Sequence, residues 1–242
     1  MRPDHSHRGV LALSCSSSAG DGLIYAAGEG QQVISLDPLT GEVKSRFEGS
    51  NKAISCLALS PDGSSAFLGG SNLSLWDLSS QEKRAKFTGH PTPAFAAVFS
   101  PDGSHIASAA ESERQVAVWL AKKKKKAQAA VASLTLEDVP IQLDTCSTSD
   151  SSSAFHVAAV SKSGEVYVWQ CTPSSSARGD EEGPSQTLTT QLVAKVKAAG
   201  AKGDSIMAVK IQPGSQGEPC SLAALVDVDR SSTVSFPPPS QL

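Results

Sequence analysis

A four-residue turn signal recurs at a fixed distance along this chain. Ser60-Pro61-Asp62-Gly63 returns 40 residues later as Ser100-Pro101-Asp102-Gly103. Tryptophans close short runs at Trp76, Trp119 and Trp169, with steps of 43 and 50 residues. Leu36-Asp37 stands 40 residues before Trp76-Asp77 and fills the same slot. Proline and glycine around an aspartate punctuate the backbone, and runs such as Leu73-Ser74-Leu75-Trp76 alternate with the period of a half-buried strand. A chain that repeats this pattern is an array of similar β-units. Each unit is too small to bury its own apolar face, so neighbours must stack.

The repeat length is roughly 40–45 residues and includes a Gly-His (Gly89-His90) and a Trp-Asp (Trp76-Asp77), the mark of a WD-repeat β-propeller. The fold class is therefore all-β, with one four-stranded blade per period. About five blades are recognisable, where closed propellers use about four to eight. They fall near residues 9–47, 48–87, 88–136, 137–193 and 194–236. The fifth is faint, with strands expected at 206–211, 222–226 and 233–236. Two segments break the period. Residues 120–130 read as an exposed loop, and residues 172–187, rich in Ser, Gly, Pro and acid, read as a flexible insertion. Residues 1–8 are a polar lead-in, and 237–242 a proline-rich tail that cannot continue a central strand. Neither end offers a strand to clasp the ring, so the array reads as part of a larger propeller.

Composition narrows the function classes. Aromatic residues make up only 5% of the 242, so packing falls to Val, Ile, Leu and Ala. A net charge of −3 means that any nucleic-acid contact must come from a local patch. The five cysteines include no Cys-x-x-Cys pair, which points to reduced intracellular thiols. No apolar stretch approaches a membrane span, and the first residues hold no signal-peptide core. The expected setting is cytosolic or nuclear, with no membrane partner.

Chemistry-bearing motifs are few. His90 in Phe87-Thr88-Gly89-His90 is expected to be buried, bonding toward an aspartate in a tight turn and a hydroxyl near a tryptophan. That aspartate is missing: the matching turns read Gly28-Glu29-Gly30, Gly69-Gly70-Ser71-Asn72, Glu111-Ser112-Glu113-Arg114 and Lys162-Ser163-Gly164. The repeats are thus degenerate. His5 and His7 lack a third ligand, which argues against a metal site. Glu137-Asp138 and Glu181-Glu182 are adjacent carboxylates that point apart and read as solvated. Nucleophile elbows, phosphate loops and His-Glu-x-x-His are absent from the sequence. No catalysis, cofactor or small-molecule substrate is expected. One charge run has a sharper reading: Lys122, Lys123, Lys124, Lys125 and Lys126 suit phosphate contact or recognition by an import receptor, against the alternative of a solvated inter-blade loop.

The order of the motifs adds specificity. Ser6-His7-Arg8-Gly9-Val10-Leu11-Ala12-Leu13, Ser71-Asn72-Leu73-Ser74-Leu75-Trp76-Asp77, Phe87-Thr88-Gly89-His90-Pro91-Thr92-Pro93 and Glu113-Arg114-Gln115-Val116-Ala117-Val118-Trp119 come in succession. The lysine run and Ser133-Leu134-Thr135-Leu136-Glu137-Asp138-Val139-Pro140 follow. This series resembles, in a plant-like and shortened version, the WD-repeat subunit of the small-subunit processome, in its transcription-coupled UTP-A module. The resemblance implies a non-catalytic nucleolar protein that helps assemble early pre-rRNA particles for pre-18S processing, and it admits a link to rRNA transcription. Its implied partners are other WD-repeat and helical processome subunits, with pre-rRNA or small nucleolar RNP contacted directly or through them. The competing reading is a WD-repeat scaffold of another assembly, such as a ubiquitin-ligase substrate receptor or a trafficking adaptor.

Overall fold

The structure is a computed structural model, and it describes residues 9–15, 21–122, 126–148, 153–175, 186–197, 205–213, 221–227 and 232–235. The described residues form strands and turns and no helix. The first sheet holds β1 (Val10–Cys15), β2 (Ile24–Gly28), β3 (Gln32–Leu36) and β4 (Val43–Glu48). The second holds β5 (Ile54–Leu59), β6 (Ser65–Gly70), β7 (Leu73–Asp77) and β8 (Lys83–Phe87). The third holds β9 (Ala94–Phe99), β10 (His105–Ala110), β11 (Gln115–Leu120) and β12 (Ala132–Thr135). The fourth holds β13 (Pro140–Ser147), β14 (Phe155–Ser161), β15 (Glu165–Ser175) and β16 (Gln186–Lys197). A three-stranded fifth sheet holds β17 (Ser205–Gln212), β18 (Ser221–Asp227) and β19 (Ser232–Ser235). All five are antiparallel meanders, so each chain segment pairs with the one before it.

Successive sheets stack face to face, and the apolar core is divided among the four seams. Val33 and Ala27 meet Ile54, Leu68 and Trp76 in the first seam. Phe67, Leu75 and Phe87 meet Ile106 and Trp119 in the second. Val116, Val118 and Leu134 meet Val157, Tyr167 and Trp169 in the third. Val160 and Val166 meet Val209 and Ile211 in the fourth. Alternation explains the split: in β7, Leu73 and Leu75 face the third sheet, while Trp76 faces the first.

The innermost strands β1, β5, β9, β13 and β17 follow one another as neighbours. Side chains tie some of them to the next backbone. The Ser55 hydroxyl donates to Ala94 O at 2.5 Å, and Thr145 donates to Phe99 O at 2.6 Å. Gln142 Oε1 accepts the Val209 amide at 2.7 Å, and Asp144 Oδ2 accepts that of Ile211 at 2.8 Å. Among the described residues, no packing of comparable extent links β17 back to β1. The face of the first sheet turned from the second leaves Leu13 65% exposed, with Leu11 at 50% on the same strand.

Two expectations for the loops need correction. Residues 172–187 are not wholly a flexible insertion: β15 and β16 pair as far as Ser175 and Gln186, and residues 176–185 lie outside the described set. Pro173, opposite Leu188, is tolerated because β14 stops pairing with β15 at Cys171, leaving the far side of the ribbon open. Nor are residues 120–130 simply an exposed loop. Gln128 is buried and forms a parallel bridge with Phe87 at the outer edge of β8.

Candidate functional site

The repeated turn residues cap hairpins. Asp37 Oδ1 accepts the amides of Leu39 and Thr40, and Asp77 Oδ1 accepts those of Ser79 and Ser80, all at 2.9–3.1 Å. In both turns the aspartate amide then donates to the residue five positions on, Glu42 or Glu82. Asp77 also holds Arg84 at 2.6 Å. The Ser79 hydroxyl, then the Ser80 amide, lead the forces that hold the Asp77 carboxyl far below its usual range. The Ser-Pro-Asp-Gly pairs are equally alike: Ser60 donates to Asp62 at 2.6 Å and Ser100 to Asp102 at 2.5 Å. Gly63 and Gly103 both take φ 72°, a left-handed conformation that suits glycine.

His90 joins the turn between β10 and β11 to the strand interior. Its Nδ1 lies 2.8 Å from Glu113 Oε2, and its Nε2 lies 2.9 Å from Ser108 Oγ. A carboxylate only accepts, so Nδ1–H donates to Glu113 and a neutral ring accepts from Ser108 at Nε2. Glu113 also receives the Gln115 side-chain amide at 3.1 Å and the Thr92 hydroxyl at 3.0 Å. Burial pushes the Glu113 carboxyl up, but the bonds from His90 and Gln115 outweigh it and the net shift is downward. The turn aspartate expected of this blade is therefore replaced, not lost. Ser112, at φ 62°, swings the turn so that the longer Glu113 side chain reaches the histidine. Gly89 precedes that histidine, beside the Trp119 ring.

All three tryptophans are buried. Trp119 is 0% exposed, stacking on Phe67 and meeting His90 edge-on. Its Nε1 is buried without a hydrogen-bond partner. Trp76 packs on Phe47 and donates from Nε1 to Ser74 Oγ at 2.9 Å. Trp169 stacks on Tyr167.

The lysine run is only partly placed. Lys122 and Lys126 are exposed, while Lys123, Lys124 and Lys125 lie outside the described residues, as do His5 and His7. The segment after the run is pinned: the Gln128 amide donates to Lys86 O, Thr88 N donates to Gln128 O, and Gln128 Nε2 donates to Lys122 O at 3.0 Å. This pinning was invisible in the sequence, because a lone glutamine in a polar stretch carries no strand signal. It sets Ala127 at a cleft between the outer strands of the first two sheets, lined among others by Trp76, Lys83 and Lys86. Glu137 and Glu165 pair with Lys195, and the Glu137 amide donates to Tyr167, a tie between the third and fourth sheets. Among the described residues no three His, Cys, Asp or Glu side chains gather as a metal-ligand set.

Comparison with known proteins agrees with this geometry. The family model "WD domain, G-beta repeat" matches residues 41–77 and 81–119. Human WD repeat-containing protein 43 is 26% identical over 162 residues, which cover 62% of this chain. The chain spans about a quarter of that relative's length, 24%. With the aspartate hairpin caps, the buried Gly-His network and five stacked antiparallel sheets, the chain carries WD repeats and has the fold of β-propeller blades.

Proposed function

We propose that this chain is a non-catalytic scaffold in ribosome biogenesis that helps assemble the small-subunit processome on pre-rRNA. One observation carries the reading. Two of the motifs that give the chain its resemblance to the processome subunit are bonded to each other: His90, from Phe87–Pro93, is the partner of Glu113, from Glu113–Trp119. Glu137, from the Ser133–Pro140 motif, is tied in turn to the fourth sheet through Lys195 and Tyr167. The unusual Glu113 and its histidine thus form one structural unit. Under this reading the blades dock WD-repeat and helical subunits, and the protein resides in the nucleolus.

Lys122–Lys126 then act electrostatically, as a phosphate contact or an import signal. The test is expression of the tagged chain, followed by microscopy, RNA crosslinking and affinity purification with mass spectrometry. The expected result is an RNase-sensitive nucleolar signal with processome subunits in the eluate. Ubiquitin-ligase or trafficking subunits in their place overturn the reading. Changing all five lysines to Gln should lower accumulation and crosslinking without unfolding the blades, and Arg replacements should preserve both.

A further inference from the structure

We infer that the cleft between the first and second sheets is a binding seat for single-stranded RNA, with Lys83 and Lys86 as its cationic contacts. The choice of polymer rests on the pre-rRNA reading above; the site itself rests on geometry. Trp76 and Lys83 are cross-strand neighbours, as are Ser74 and Lys86, so both lysines project from the face of β8 turned toward the first sheet. Both are exposed, and among the described residues neither has a carboxylate within ion-pair distance. Arg84, on the opposite face of the same strand, is already taken by Asp77.

The like charges crowd each other. The Lys83 ammonium sits over the Trp76 ring at 5.1 Å. Partial burial, then the neighbouring Lys86 charge, pull its pKa down. A bridging anion relieves that repulsion. Ala127 closes one side of the cleft, held there because the neighbouring Gln128 is fastened to Lys86.

The opposite wall favours a sugar–phosphate chain over an acidic peptide. Gln31, Ser50 and Asn51 present amides and a hydroxyl, donors and acceptors for ribose hydroxyls and phosphate oxygens, and Asn72 of the second sheet donates across the cleft to Asn51 at 2.7 Å. Glu48, the carboxylate of this wall, opposes an anion and provides an internal control. Stacking plays no part, because Trp76 is covered. Binding is therefore backbone-directed, tolerant of sequence and steeply dependent on salt.

The test is fluorescence anisotropy of the full chain with a labelled polyuridine of about twenty nucleotides, titrated over a range of salt. Lys83→Gln with Lys86→Gln should weaken binding about tenfold near 0.1 M salt and flatten the log K against log salt slope by about 1.4, which is two phosphate contacts on a single strand. Glu48→Gln should strengthen binding about twofold. This variant keeps every lysine, so it still tests the cleft if the double lysine variant fails to fold. A parental slope and affinity in the folded double variant, or no gain from Glu48→Gln, overturns the proposal. So does displacement of the RNA by polyglutamate as readily as by unlabelled polyuridine. Processome subunits missing from an affinity purification would sink the functional reading while leaving this result intact, so the two failures are distinguishable.

Discussion

His90 and Glu113, 23 positions apart, meet at 2.8 Å with side chains only 1% and 8% exposed. The pair locks the Gly-His segment onto the turn between β10 and β11, and through Ser108 onto β10 itself.

Glu113→Ala should destabilise the protein by about 2 kcal/mol, because it strands the buried Nδ1 donor of His90. The carboxyl is held below its ordinary value in the fold. Its contribution is therefore present above the unfolded glutamate pKa of about 4.3 and is lost as pH falls through the folded value. Thermal midpoints across pH 3–7 should show a shallower acid limb in Glu113→Gln than in the parent. Identical limbs would mean that the glutamate is not bonded as described.

Trp76 and Trp119 should respond differently to replacement by Phe. Both changes leave a small cavity. Trp76→Phe also removes the donor to the buried Ser74 hydroxyl, at an added cost of about 1 kcal/mol. Trp119→Phe instead removes an N–H that is buried without a partner, which offsets much of its cavity cost. Chemical denaturation should rank Trp76→Phe as the less stable variant. Replacement of either by Ala should cost about 3–5 kcal/mol. Equal midpoints for the two Phe variants would refute the distinction.

How much of this was legible in the sequence follows from how local each interaction is. The Ser60–Asp62 and Ser100–Asp102 turns, and the Asp37 and Asp77 caps, close within five residues, so their residue types announce them. Glu113 bonds across 23 positions, and an aspartate-shaped expectation passed over it because reach depends on the Ser112 backbone. The ribbon beyond Cys171 was hidden by Pro173 and its polar neighbours, which read as loop whenever the strand's open side is unknown. Lys83 and Lys86 are unremarkable in sequence; only the register against Ser74 and Trp76 puts them on one face.

Gly69 stands opposite Cys56 across β5 and β6, and a Cβ there would press well inside contact distance of the Cys56 sulfur. Gly69→Ala should cost about 1–3 kcal/mol by overpacking. Cys56→Ala should recover part of that loss in the double variant, as expected of residues that share one space. Strict additivity of the two single changes would show that the contact is not the source of the cost.

Leu11 and Leu13, exposed on β1, should promote self-association of the purified chain. Changing both to Ser should lower the concentration dependence seen in sedimentation velocity while leaving the far-ultraviolet spectrum unchanged. A chain that sediments as a monomer with or without the leucines would rule this out.

The ties from Ser55 to Ala94, Thr145 to Phe99 and Asp144 to Ile211 connect the second to fifth sheets, each only to an immediate neighbour. Such a molecule resembles a row of hinged tiles more than a single block, with a disturbance fading over one or two tiles. Fraying of the fifth sheet loosens the fourth while the first seam, two blades further on, keeps its grip. Opening of this kind lets one end of the row adjust its shape to a neighbour without disturbing the cleft at the other.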